Sequence, residues 1–92
     1  HHAQRIGVTV AGITVRNQRS RWGSASATGR LNFNIRLLLA PPEVLEYVVV
    51  HELMHLRHMN HSKDFWQAVG AYLPEYAHYR KWLKDKGREL VL

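Results

Sequence analysis

The pentapeptide His51-Glu52-Leu53-Met54-His55 closes the apolar run Tyr47-Val48-Val49-Val50, and its two histidines constrain the chain more than any other feature. On an α-helix, residues four apart share one face with a rise of about 6 Å, so both imidazoles reach a single ion while Glu52 projects beside them. In a strand they would stand roughly 13 Å apart, too far for nitrogens that each need to lie about 2.0–2.1 Å from one metal. A metal centre here predicts helix.

Propensity alone argues the other way, because Val48, Val49 and Val50 form a β-branched run. Context decides for helix. Pro41 and Pro42 followed by Glu43 suit a first turn, where proline forfeits no useful donor and an acid meets the positive end of the dipole. From Glu43 to about His58 only Glu46 and Arg57 read as solvent-facing, while Val44, Leu45, Val48, Val49, Leu53, Leu56 and Met59 cover most of the remaining circumference. A helix apolar nearly all round is a buried one. Its end is predicted between His58 and Asn60, with Asn60 suited to a left-handed cap.

Either side of this helix the pattern is mixed. Val8-Thr9-Val10 and Ile13-Thr14-Val15 alternate about Ala11-Gly12, which predicts a hairpin of two short strands. Arg16 to Arg21 reads as a basic loop or a strand continuation. Trp22 to Ser26 and Leu31 to Ile35 predict a second hairpin turning at Thr28-Gly29, with Leu31, Phe33 and Ile35 on one face and Asn32 and Asn34 on the other. After the central helix, Ser62 is placed to cap a further helix that buries Phe65, Trp66, Val69 and Leu73 and stops at Pro74. Glu75 to Lys86 predicts a last amphipathic helix with Tyr76, Tyr79 and Leu83 inward, and Leu90, Val91 and Leu92 form a tail. The fold class is therefore α+β: a small antiparallel N-terminal sheet over a central helix, followed by two more helices.

Ninety-two residues suit one domain spanning 1–92 with a modest core. His1-His2 reads as a purification-tag remnant without functional weight, and the absence of an initial methionine suggests an excised piece of a longer protein. The chain contains no cysteine, so metal chemistry has to run on histidine and carboxylate. No apolar stretch approaches the ~20 residues of a membrane span, which makes a soluble cytoplasmic protein the expectation. Residues 1–42 hold six arginines and no acid, whereas residues 43–92 balance seven bases against seven acids. That asymmetry fits the solvated face of a small sheet, the plainer reading by count, or a basic wall that attracts an acidic peptide, a nucleotide or nucleic acid.

A catalytic zinc takes three protein ligands and keeps one position open for water, so another donor is needed beyond His55. His58 shares the helical face but would lie about 10 Å along the axis from His51. His61 follows Asn60, where the chain can turn back, and is the first choice; Asp64 and then Glu75 stand behind it. His78 reads as an ordinary packing residue of the last helix.

Taken together, Arg19-Ser20-Arg21-Trp22-Gly23-Ser24, Leu31-Asn32-Phe33-Asn34, Ala40-Pro41-Pro42-Glu43, Tyr47 through Leu56, Met59-Asn60-His61-Ser62 and Phe65-Trp66 resemble the YgjP-like metallopeptidase domain family, over most of residues 16–86. That family is similar to SprT-like and other small zincin domains, in which a short sheet lies over the active-site helix. The resemblance implies a zincin-like fold, His51, His55 and His61 as zinc ligands, and Glu52 as catalytic acid/base. Ala25 departs from it, since relatives often carry a cysteine in that context. The histidine spacing also equals that of metzincins, but His58 stands where those enzymes usually have glycine, and no methionine follows Met59 to make their turn.

The function implied is zinc-dependent hydrolysis of a peptide or protein, with Glu52 assisting attack of water on a carbonyl and Tyr76, Tyr79 or an arginine as a second donor. Residues Ser24–Ser26 or Asn32–Ile35, at a sheet edge, could pair with an extended peptide. Two alternatives carry the same residues: a zinc-dependent nucleotide or phosphoester hydrolase, and a non-enzymatic nucleic-acid-binding module with structural zinc. Oligomeric state is not encoded in any of these features.

Overall fold

Leu31 and Phe33 point into the protein and Asn32 out toward Ser24, so the strand that carries them has one dry face and one polar face. In the computed structural model, which describes residues 2–17, 21–58 and 61–89 apart from the Arg88 side chain, this strand is the middle of a three-stranded sheet. The elements are α1 (His2–Ile6), β1 (Gly12–Arg16), β2 (Gly23–Ala25), β3 (Arg30–Asn34), a 3-10 turn (Ile35–Leu39), α2 (Pro42–His55), α3 (Lys63–Tyr72) and α4 (Tyr76–Lys86), followed by a short 3-10 segment (Gly87–Glu89). The α+β class and the order of sheet, central helix and two further helices agree with the sequence reading.

The sheet itself is mixed rather than antiparallel throughout. β2 and β3 form the expected antiparallel pair, Ser24 opposite Asn32, and Gly29 at φ +90° supplies the turn. β1 instead runs parallel to β3, Ile13 beside Leu31 and Val15 beside Phe33. The hairpin predicted about Ala11-Gly12 does not form. A two-residue hairpin turn needs positive φ, and among the described residues only Gly7 and Gly29 have it. The Ala11 N–H donates to the Gly29 carbonyl (2.8 Å), while Val8, whose N–H donates to the Ala3 carbonyl, and Val10 pack against the core outside any strand. β1 also shows an inverted face, with Ile13 and Val15 exposed.

α2 is buried on most sides as expected: Val44, Tyr47, Val48, Val50, Leu53 and Met54 all lie inside, and Val50 has no exposure at all. Each such side chain contributes about 1.5–3 kcal/mol of apolar burial, which outweighs the weak helix propensity of the valine run. The helix ends at His55, three residues before the earliest predicted stop, and the Asn60 cap lies outside the described residues, as do Met59 and the Leu90–Leu92 tail. Residues 18–20 of the basic segment also fall outside them. Ser62 caps α3 as predicted, its hydroxyl accepting from the Phe65 N–H.

Two short elements lie beyond the sequence expectations. The 3-10 turn is capped by Asn34, whose side-chain oxygen accepts from the Arg36 N–H (3.0 Å) while its amide donates to the Arg21 carbonyl (2.9 Å). α1 is tied down through His2, whose ring nitrogens meet the Tyr72 hydroxyl at 2.6 Å and Glu46 at 3.0 Å, so this histidine is part of the packed structure. Among the described residues no helix is long and apolar enough to cross a membrane.

Asn34 is 1% exposed and joins β3, the 3-10 turn and the segment entering β2. Asn34→Ala is expected to lose about 1–3 kcal/mol by stranding both backbone partners, read as a lowered urea midpoint at unchanged slope.

Candidate metal centre

His51 and His55 stand one turn apart on α2, and the chain leaving the helix returns a third imidazole from His61. The three Nε2 atoms form a triangle with sides of 3.2 Å (51–55), 3.0 Å (55–61) and 3.3 Å (51–61). Four ligands placed tetrahedrally 2.0–2.1 Å from an ion are separated by about 3.3–3.4 Å, so this triangle is one face of such a tetrahedron to within a few tenths of an ångström. The His58 carbonyl accepts from His55 Nδ1–H at 3.0 Å, which leaves the His55 Nε2 lone pair facing the triangle. On His51 the outer nitrogen faces the Tyr47 hydroxyl at 3.4 Å.

Helix α3 supplies the walls. His55 stacks on Phe65 (4.3 Å, 20°) and His61 on Trp66 (5.8 Å, 22°), while His51 meets both rings edge-on. Phe65 is fully buried, so the plate that orients His55 belongs to the core. Burial, followed by the neighbouring imidazoles of His55 and His61 and by Arg80, pushes His51 down to about 3. Such a group offers a lone pair, not a proton.

Glu52 is buried next to this cluster, 6% exposed. Burial pushes its carboxyl up to about 7, with the Arg21 charge pulling the other way. Gly23 in β2 lies directly over it: a Cβ there would sit 3.0 Å from Glu52 Cγ, 3.0 Å from Oε2 and 3.1 Å from the Asn32 carbonyl. Two cavities of about 260 Å³ each open on His51 and Glu52. One is shared with His55, His61 and the β2 residues Gly23, Ser24 and Ala25; the other is walled by Trp22, Tyr47, Val48, Arg80 and Leu83.

Of the residues weighed from sequence, the structure brings together His51, His55, His61 and Glu52. Asp64 is exposed in the first turn of α3, Glu75 accepts from the Tyr79 hydroxyl (3.1 Å), and His78 is exposed beside Tyr79; none joins the cluster. His58 contributes its carbonyl. Tyr79 is engaged with Glu75 and Tyr76 stacks on Trp66 at 5.6 Å, whereas Tyr47 and Arg80 line the cavity. Arg80 was readable in principle, lying four residues after Tyr76 and three before Leu83 on the inward stripe. Of the two segments weighed for peptide pairing, Asn32–Asn34 is in the central strand, already paired on both sides, and Ser24–Ala25 is in the edge strand beside the site.

A small α+β scaffold with three converging histidines on and after a buried helix is the frame of a metallopeptidase. The structure is similar to the crystal structure of the metallopeptidase zymogen of Pyrococcus abyssi abylysin, with a TM-score of 0.74 and 26% identity over 90% of this chain and 88% of that one. No curated protein matches the chain in sequence. The chain belongs to the YgjP-like family of metallopeptidase domains, whose model matches residues 1–86.

Gly23→Ala is expected to cost about 1–3 kcal/mol through overpacking against Glu52 and the Asn32 carbonyl. In urea unfolding, part of that loss should return in the Gly23→Ala, Glu52→Ala double variant, since two of the three close contacts are to Glu52.

Proposed function

We propose that the chain is a zinc-dependent peptidase in which His51, His55 and His61 hold the ion and Glu52 moves the proton. The observation that carries this reading is the Nε2 triangle of 3.0–3.3 Å, closed by a histidine whose outer N–H is committed to a backbone carbonyl. Three imidazoles without a thiolate suit zinc, and three protein ligands leave the fourth corner free, as in catalytic rather than structural sites. When bound, zinc supplies Lewis-acid chemistry, lowering the pKa of a coordinated water toward about 7 and polarising the scissile carbonyl.

The chain's own residues do the rest. Glu52 accepts the proton of the attacking water and returns it to the leaving amine, a role supported by its place between the two cavities and beside His51. Gly23 permits the sheet to approach Glu52 closely enough to keep bulk water from its buried side. The free edge of β2 at Ser24–Ala25 offers main-chain donors and acceptors to an extended peptide along the same cavity. Family and structural likeness are to peptidases, so the phosphoester and nucleic-acid alternatives are not favoured.

Metal analysis of the purified chain should find one zinc per molecule, lost in His61→Ala and retained in Asp64→Ala and Glu75→Ala; zinc kept by the His61 variant and lost from either other would overturn the ligand set. Saturating zinc at a thousandfold excess over its Kd should stabilise the chain by roughly 4 kcal/mol over the chelated form in denaturant titration. Glu52→Gln should keep its zinc and lower kcat on an unfolded protein substrate by about 10²–10⁴-fold.

A further inference from the structure

The cavity walled by Trp22, Val48 and Leu83 is apolar on most sides and carries one cation, Arg80, and one buried phenol, Tyr47. Its 260 Å³ lies below the roughly 300–1,000 Å³ of pockets that take drug-sized ligands, a size suited to a single side chain. The Arg80 guanidinium carbon lies 4.5 Å over the Trp66 ring, and Trp66 in turn stacks on both Tyr76 and His61. An arginine held against such a plate is pre-positioned, at small entropic cost, to meet a planar anion.

No carboxylate lies within ion-pair distance of Arg80 among the described residues, where the ion pair found is His2 with Glu46. Glu52 lines the same cavity, and among the described residues no ion pair joins it to Arg80. The Tyr47 hydroxyl, 3.4 Å from His51 Nδ1, lines the same cavity as Arg80 and supplies a donor beside it.

We propose that this cavity binds the side chain of a substrate glutamate or aspartate, with Arg80 pairing its carboxylate and Tyr47 donating alongside. The inference rests on the peptidase reading and specifies its substrate class. Glu52 delivers its proton to the leaving nitrogen, so the residue that contributes that nitrogen lies on the Glu52 side of the centre. Both cavities open on Glu52 and His51, but only the one beside Ser24 and Ala25 also reaches His55 and His61, so the Arg80 cavity is the one on the Glu52 side, which places the acidic residue immediately after the cleaved bond.

The test uses capped alanine-based octapeptides in which one Glu, or Gln or Lys in its place, is moved along the chain, with cleavage sites read by mass spectrometry. The zinc-loaded chain should cut before Glu with kcat/KM about tenfold above the Gln peptide, equivalent to ~1.4 kcal/mol. Arg80→Met should bring that ratio to about one, and Arg80→Glu should favour the Lys peptide. Equal rates on Glu and Gln peptides, or a Glu preference that survives in Arg80→Met, would overturn the proposal. Calorimetric binding of the same peptides to the zinc-loaded Glu52→Gln chain, with and without the added Arg80→Met substitution, needs no turnover. Tighter binding of Glu over Gln peptides that depends on Arg80 supports the acidic subsite even where no peptide is cut, a result that would sink the peptidase reading alone; binding blind to the substitution overturns the subsite.

Discussion

The structure depends on where α2 stops. A continuous helix brings His51 and His55 to one face, but each further turn carries the next side chain about 5.4 Å away from them. His61 reaches the pair because the helix ends at His55 and the chain turns through Leu56, Arg57 and His58, whose N–H groups still bond back to Leu53 and Met54. The same termination frees the His58 carbonyl from helical pairing, and that carbonyl takes the His55 Nδ1–H. Ending the helix and orienting its last histidine are one event. One residue beyond His61, Ser62 caps α3, its hydroxyl accepting from the Phe65 N–H, so the third imidazole stands directly before a fixed helix start.

The opposite side of the centre is set by contact between sheet and helix. A buried carboxyl whose pKa is raised from 4.5 to about 7 represents roughly 3 kcal/mol of disfavoured charge, so Glu52 is a local cost to the fold. What permits it is close packing. Gly23 has no side chain to displace it, β2 lies on α2, and the valines and leucines around the helix supply the compensating burial. A carboxyl whose two charge states lie close in free energy near neutrality suits the proton-carrying role proposed for Glu52.

Much of this was legible from spacing. The i, i+4 histidines, the two prolines before Glu43, the Ser62 cap and the Thr28-Gly29 turn are each local signals whose physics acts within a few residues, and each element they predict is present. Two local expectations fail, the Ala11-Gly12 turn and the end of α2, which comes at His55; the other errors fall where partners are distant in sequence. Alternation marked Ile13-Thr14-Val15 as a strand, yet nothing in those residues tells that the partner is β3, that the pairing is parallel, or that Ile13 and Val15 face outward. Likewise His2 gives no sign that Tyr72 and Glu46 await it. Phe65 and Trp66 read as core and pack there, but their second task, stacking on two histidines, follows from the angle between α2 and α3, which periodicity does not encode.

That double use of Phe65 follows from size. A chain of this length buries only about 60–65% of its unfolded surface, too little for a core and a separately supported site. The aromatic rings that fill the space between α2 and α3 are therefore the same rings that hold the imidazoles, and the hydrophobic driving force that seats Phe65 also aligns His55. An ion bound by His51, His55 and His61 would return the favour by linking α2 to the segment that begins α3, adding binding free energy to folding free energy. In so small a domain, the packing that makes the site and the site that reinforces the packing are a single set of contacts.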